Sequence, residues 1–87
     1  MKLLLEPIQV QINEKRQPVR LMWRLRPYRI KAVQEMWLYR GQWWVTPQLR
    51  GHRRLYYRVE CVTLNGMTLC FEIFHQWGRW TLSRVLD

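Results

Sequence analysis

Leu55-Tyr56-Tyr57-Arg58-Val59-Glu60-Cys61-Val62-Thr63-Leu64-Asn65-Gly66-Met67-Thr68-Leu69-Cys70-Phe71-Glu72-Ile73 is the stretch that decides the fold of this 87-residue chain. Leu55, Tyr57, Val59, Cys61 and Thr63 recur with period two, the pattern of a strand with one buried face. Asn65-Gly66 marks a hairpin, and two registers are open to it. A two-residue turn sets Leu64 opposite Met67 and brings Cys61 opposite Cys70. A three-residue loop, Leu64-Asn65-Gly66 with Gly66 in a left-handed bulge, sets Thr63 opposite Met67. The second register pairs Cys61 with Leu69, Val59 with Phe71 and Tyr57 with Ile73, one continuous apolar face. The first puts Arg58 and Glu60 on the face of Phe71 and Ile73. A one-residue slip turns a strand over, so register follows the apolar face and the bulged hairpin is expected. Cys70 then points away from Cys61, and no intrachain disulfide is expected.

Outward from this hairpin, alternation continues. Ile8, Val10 and Ile12 alternate with Gln9 and Gln11, and Asn13–Gln17 reads as a turn. Val19, Leu21, Trp23 and Leu25 alternate with Arg20, Met22, Arg24 and Arg26, which predicts a strand with three arginines on its outer face. Pro27 interrupts it, and Tyr28 and Ile30 resume. Residues 29–40 carry two readings. Ile30, Val33 and Trp37 lie at helical spacing, with helix-forming residues between them. No capping residue precedes the segment and strands flank it, so a long strand bent by a bulge near Ala32-Val33 is favoured. Gln42–Thr46 reads as a short strand that Pro47 stops, and Gln48–Arg54 as a polar, basic loop. Gln76-Trp77-Gly78-Arg79 is the last turn, before a strand from Trp80 towards Asp87. The expected fold is all-β: one domain, residues 1–87, a small antiparallel barrel or roll of about six strands, SH3-like or similar, with at most one short helical turn.

Composition narrows the class. Lysine and arginine number 15 against six acidic residues, a formal charge of +9 with a pI near 10.6. Twelve of those cations are arginine and twelve residues are aromatic. Charge of that size attracts polyanions. Arginine adds a flat fork that grips phosphate and stacks on rings, and six tryptophans supply planar surfaces as well as core mass. Met1–Leu5 begins like a signal peptide, but Glu6 and Pro7 end the apolar run too soon, and no stretch approaches a membrane span. A cytoplasmic protein without a membrane partner is expected.

Catalytic and metal chemistry find no foothold. Cys61, Cys70, His52 and His75 are the soft ligands, with no Cys-x-x-Cys and no helical His pair, so no metal site is expected. Ser83 is the single serine and lies in no nucleophile motif, the glycines lie singly at turns, and no cofactor is implied. The chain reads as a non-enzyme. Glu60 and Glu72 are expected on the outer face, pairing with arginines. Most of Trp23, Trp37, Trp44, Tyr57, Trp80 and Phe71 are expected to fill the core, with arginine stems laid over apolar surface. The candidate nucleic-acid surface comprises Arg50, Arg53, Arg54 and Arg58 in and beside one loop, Arg20, Arg24 and Arg26 on the outer strand face, and Trp43 and Tyr56 as stacking rings out of phase with the core.

The pattern Arg20-x-x-Trp23, Tyr28-x-Ile30-x-x-Val33-x-x-x-Trp37, Trp43-Trp44, Tyr57-Arg58-Val59-Glu60 and Trp80-x-Leu82-x-Arg84-Val85-x-Asp87 resembles a small bacterial domain of unknown function. That domain occurs alone or at the C-terminus of accessory Y-family DNA polymerases of the translesion type. Its relatives commonly carry an acidic residue before the last strand, where Gln76-Trp77-Gly78 stands here. The resemblance implies a β-rich module near DNA-damage tolerance and no catalytic residues. Together these readings lead to a non-catalytic basic module that binds nucleic acid, single-stranded by preference. The alternative is a protein-interaction module that docks on a polymerase or repair protein.

Overall fold

A computed structural model describes residues 3–40 and 53–86, all of them in strands or in the turns and short irregular segments that flank them. Six antiparallel strands follow one another round a closed barrel: β1 (Leu3–Ile12), β2 (Pro18–Trp23), β3 (Arg26–Arg40), β4 (Arg53–Val62), β5 (Thr68–Gln76) and β6 (Arg79–Val85). Strand order equals chain order, and β1 closes the ring against β6 through Glu6–Leu82, Pro7–Thr81 and Ile8–Trp80.

The β4–β5 hairpin adopts the bulged register. Val59 faces Phe71, Tyr57 faces Ile73 and Cys61 faces Leu69. The Thr63 N–H donates to Met67 O at 2.9 Å and the Gly66 N–H to Thr63 O at 3.0 Å, with Gly66 at φ +85°. That φ is the left-handed conformation for which glycine carries no Cβ penalty. Cys61 is wholly buried, while Cys70 lies opposite Glu60 on the other face. The barrel interior is built from this hairpin's inner row together with Ile8, Leu21, Tyr28, Ile30 and Leu82. Trp23 packs edge-on against Phe71, with centroids 5.7 Å apart, and Tyr28 does the same at 5.2 Å. Edge-to-face geometry lets these rings fill the barrel closely.

Residues 26–40 form one strand, with register shifts between Ile30 and Ala32 and between Val33 and Glu35. Each bulge inserts one residue, so the inner-row partners of Cys61, Val59, Tyr57 and Leu55 are Ile30, Val33, Met36 and Leu38. Two bulges thus give a strand the three-residue spacing of a helix. They also turn Trp37 outward, against Tyr56, where a core position was expected.

Three other expectations are corrected. The strand expected to run from Val19 through Arg26 ends at Trp23, and Arg24-Leu25 reverses the chain with φ of +51° and +64°. Arg24 is therefore a turn residue and Arg26 the first residue of β3, so the row of three arginines does not form. Both turn residues adopt the conformation that Asn-Gly usually supplies, which hid the turn from sequence patterns. Pro27 sits inside β3 opposite Met22, where the pairing of β3 with β4 has not yet begun, so its missing N–H costs no ladder bond on that side. Arg53 and Arg54, expected in a loop, belong to β4 and pair with Arg40 and Tyr39. The strand expected at Gln42–Thr46 lies outside the described residues, as does Trp44.

Candidate nucleic-acid interface

The outer face of β3, β4 and β5 is organised in rows. Nearest the β5–β6 turn, Tyr39 is the strand neighbour of Arg54, whose Nε donates to Gln76 Oε1 and whose Nη1 donates to the Tyr56 hydroxyl, both at 3.3 Å. The next row is Trp37, Tyr56 and Phe74. Trp37 and Tyr56 stack with centroids 5.3 Å apart and planes 6° from parallel, and Phe74 meets Tyr56 at 5.1 Å. Tyr39 adds an edge contact to Tyr56 at 6.4 Å. The Arg54 guanidinium carbon lies 4.6 Å from the centre of the Phe74 ring. Phe74 is only 5% exposed although it lies outside the barrel interior, because these neighbours roof it over. A second, external aromatic cluster therefore holds the Arg54 guanidinium over one of its rings.

Beyond the rings runs a row of alternating charge. Glu35 pairs with Arg58 at 3.3 Å, Arg58 is the strand neighbour of Glu72, and Glu72 pairs with Arg84 at 3.7 Å. Arg58 Nε is buried without a hydrogen-bond partner among the described residues. Lys31 pairs with Glu60 at 3.4 Å, so Glu60 takes a lysine where an arginine was expected. Arg24 grips Glu6 through Nε and Nη2 at 3.0 and 2.6 Å, and the Trp23 indole N–H donates to the same carboxylate at 3.0 Å. Those hydrogen bonds, Arg24's first, hold the Glu6 carboxyl below its usual range. Glu14 is then the one described carboxylate side chain outside these ion pairs.

The structure sorts the sequence-derived candidates into three groups. Arg53, Arg54 and Tyr56 come together at the ring-rich end. Arg24 and Arg58 are engaged by Glu6 and Glu35. Arg20 and Arg26 lie towards the far end of β4, where Arg20 is opposite Arg29 and Arg29 is opposite Val62. Eight residues separate Arg54 from Val62, about 26 Å along a strand. Trp43 and Arg50 lie outside the described residues. Tyr56 has one face against Trp37, which leaves its edge and hydroxyl as its outward features. Three residues complete this end without having been singled out: exposed Tyr39, exposed Arg79, and Trp77, which is 70% exposed on the β5–β6 turn beside Gln76. Trp77 is a large ring in a tight turn with no core phase to satisfy, and that was the signal available for it.

Among the described residues, no group of three or more His, Cys, Asp or Glu side chains is placed to hold a metal ion, and no helix is long and apolar enough to cross a membrane.

These features define a small closed β-barrel with a basic, ring-bearing outer face. The chain belongs to the family described as domain of unknown function (DUF6504), whose model matches residues 2–87. No curated protein and no solved structure matches the chain.

Proposed function

We propose that this domain is a non-catalytic nucleic-acid-binding module that holds single strands on the outer face of β3, β4 and β5, next to the β5–β6 turn. The observation that carries the reading is Arg54, held over Phe74 in a field of rings, with exposed Arg79, Tyr39 and Trp77 at the same end and exposed Arg53 on the alternate strand phase beside it. No carboxylate occupies the two rows that contain Arg54 and Tyr56. Fixed guanidinium groups suit phosphate oxygens, and exposed ring faces suit unstacked bases. A duplex hides its base faces, so the rings favour a single strand. Affinity comes chiefly from phosphate contacts, with little sequence preference. A setting in DNA-damage tolerance, beside Y-family polymerases in bacteria, is part of the proposal and rests on the resemblance of the Tyr57–Glu60 and Trp80–Asp87 segments.

The test is a titration of labelled single- and double-stranded DNA and RNA at several salt concentrations. Single strands should bind with a steep log–log salt slope that flattens by about one unit for each arginine removed in Arg53→Glu, Arg54→Glu and Arg79→Glu. Tyr39→Ala and Trp77→Ala should each weaken single-strand binding by about 1–3 kcal/mol. Absence of binding at low salt refutes the proposal.

A further inference from the structure

A second surface lies at the far end of β4, and its chemistry differs. Two contiguous hollows of about 500 and about 610 Å³ share Pro27, Tyr28, Thr63 and Leu64 in their walls, between the start of β3 and the β4–β5 turn. Arg26 lines the first, and Arg20 and Arg29 line the second. None of these three arginines forms an ion pair among the described residues. Arg20 and Arg29 are direct cross-strand neighbours, an arrangement that repels when nothing lies between them. An anionic group bridging the two removes that repulsion.

The apolar half of this surface is equally exposed. Leu64 is 86% and Met67 60% exposed on the β4–β5 turn, and Leu25 is 91% exposed on the β2–β3 turn at positive φ. Leucine and methionine at turn tips give a polynucleotide no stacking platform, and the one ring in the walls, Tyr28, is buried in the barrel. Apolar side chains of a peptide do find complementary surface there, and aspartate or glutamate beside them meets the arginines.

We infer that the groove between the β2–β3 and β4–β5 turns is a docking site for an acidic peptide segment carrying apolar side chains, supplied by a partner protein. Its carboxylates lie against Arg20, Arg26 and Arg29, and its apolar side chains against Leu64 and Met67. The inference goes beyond the nucleic-acid reading and does not rest on it, because the two surfaces use different residues about eight strand positions apart.

The experiment is fluorescence anisotropy on the full chain with two labelled ten-residue peptides of equal charge. One contains six Asp/Glu with two leucines and a phenylalanine, and the other carries serine at those three positions. The apolar peptide should bind at least tenfold more tightly than its serine counterpart. Arg20→Glu with Arg29→Glu should weaken it at least tenfold, and Leu64→Ser with Met67→Ser at least fivefold. Neither double variant should change oligonucleotide affinity more than twofold beyond the general charge effect, which Lys15→Glu with Arg16→Glu, on the β1–β2 turn and lining neither hollow, calibrates. Equal binding of the two peptides, or indifference to the Leu64/Met67 variant, overturns the inference. So does loss of oligonucleotide rather than peptide binding in the Arg20/Arg29 variant, which would assign this surface to nucleic acid. Circular dichroism melts of each variant confirm that the barrel is intact.

Discussion

Cys61 is a thiol that the barrel keeps neutral. Burial first, then Cys70 and Glu60, push its pKa up to about 12 from 9.0, and burial also raises Tyr57. The folded state therefore binds more protons than the unfolded state once pH exceeds about 9, and stability should fall as pH climbs from there towards 12. Urea melts at pH 8 and pH 10.5 should show the drop, and Cys61→Ala should flatten it. In the same setting Cys61 should resist alkylation in the folded protein and react on unfolding. Glu6 acts at the other end of the pH scale. Its depressed pKa stabilises the fold above the usual carboxylate range, and that contribution fades as pH falls through it. Phe74 separates packing from recognition. Phe74→Leu keeps an apolar side chain under the external cluster but removes the ring beneath Arg54. The expected result is a loss of about 1–2 kcal/mol in stability, with single-strand affinity down several-fold. Unchanged affinity would detach Arg54's posture from binding.

β3 carries the most consequence of any element, since its bulges near Lys31 and Gln34 set which face each later residue shows. Deleting Gln34 removes the second bulge and lets Glu35 follow Val33 directly in the ladder, so Glu35 stays opposite Arg58, Met36 opposite Tyr57 and Trp37 opposite Tyr56. With no face exchanged, the deletion should cost about 1 kcal/mol, the ordinary size of a single change. A urea melt against the intact chain measures it, and a cost above about 3 kcal/mol would show that the faces of residues 35–40 had been exchanged. The same strand shows what its sequence could convey. Ile30 and Val33 carry the inner phase, and the bulge after Val33 passes it to Met36, so Trp37 looks like core and is not; beyond Ile30 that inner row is itself exposed, Val33 by 40% and Met36 by 63%. In the β4–β5 hairpin, by contrast, only one register collects Tyr57, Val59, Cys61, Leu69, Phe71 and Ile73 on a single face, and the chain adopts it. The Arg24-Leu25 reversal left no mark because neither residue is a usual turn former. Of the candidate site, Arg53, Arg54 and Tyr56 were legible because loop-adjacent arginine and an out-of-phase ring are local features. Their union with Tyr39, Trp77 and Arg79 was not, because it depends on which strands become neighbours.

The whole barrel is an uneven distribution of charge. Carboxylates neutralise its middle rows, while Arg20, Arg26 and Arg29 at one end and Arg53 and Arg79 at the other meet no described acid. Surface ion pairs contribute only about 0–1 kcal/mol each, whereas a net charge of +9 repels throughout. Raising ionic strength from about 0.02 to 0.2 M shortens the screening length from about 20 to about 7 Å, and the thermal midpoint should rise. A fall would mean that the ion-pair rows matter more than the excess charge. One feature of the architecture bears on time rather than energy. Every neighbouring pair of strands but one is joined by a connection in the chain, and the exception is β1 with β6, which brings Leu3 beside Arg84. A chain that zips hairpin by hairpin gains its local pairs early and must close a loop of nearly its whole length last. The seam between β1 and β6 is then expected to be the slow step of folding. A brief parting there frees two strand edges that no turn joins, which makes the seam a point from which strand exchange between molecules can begin.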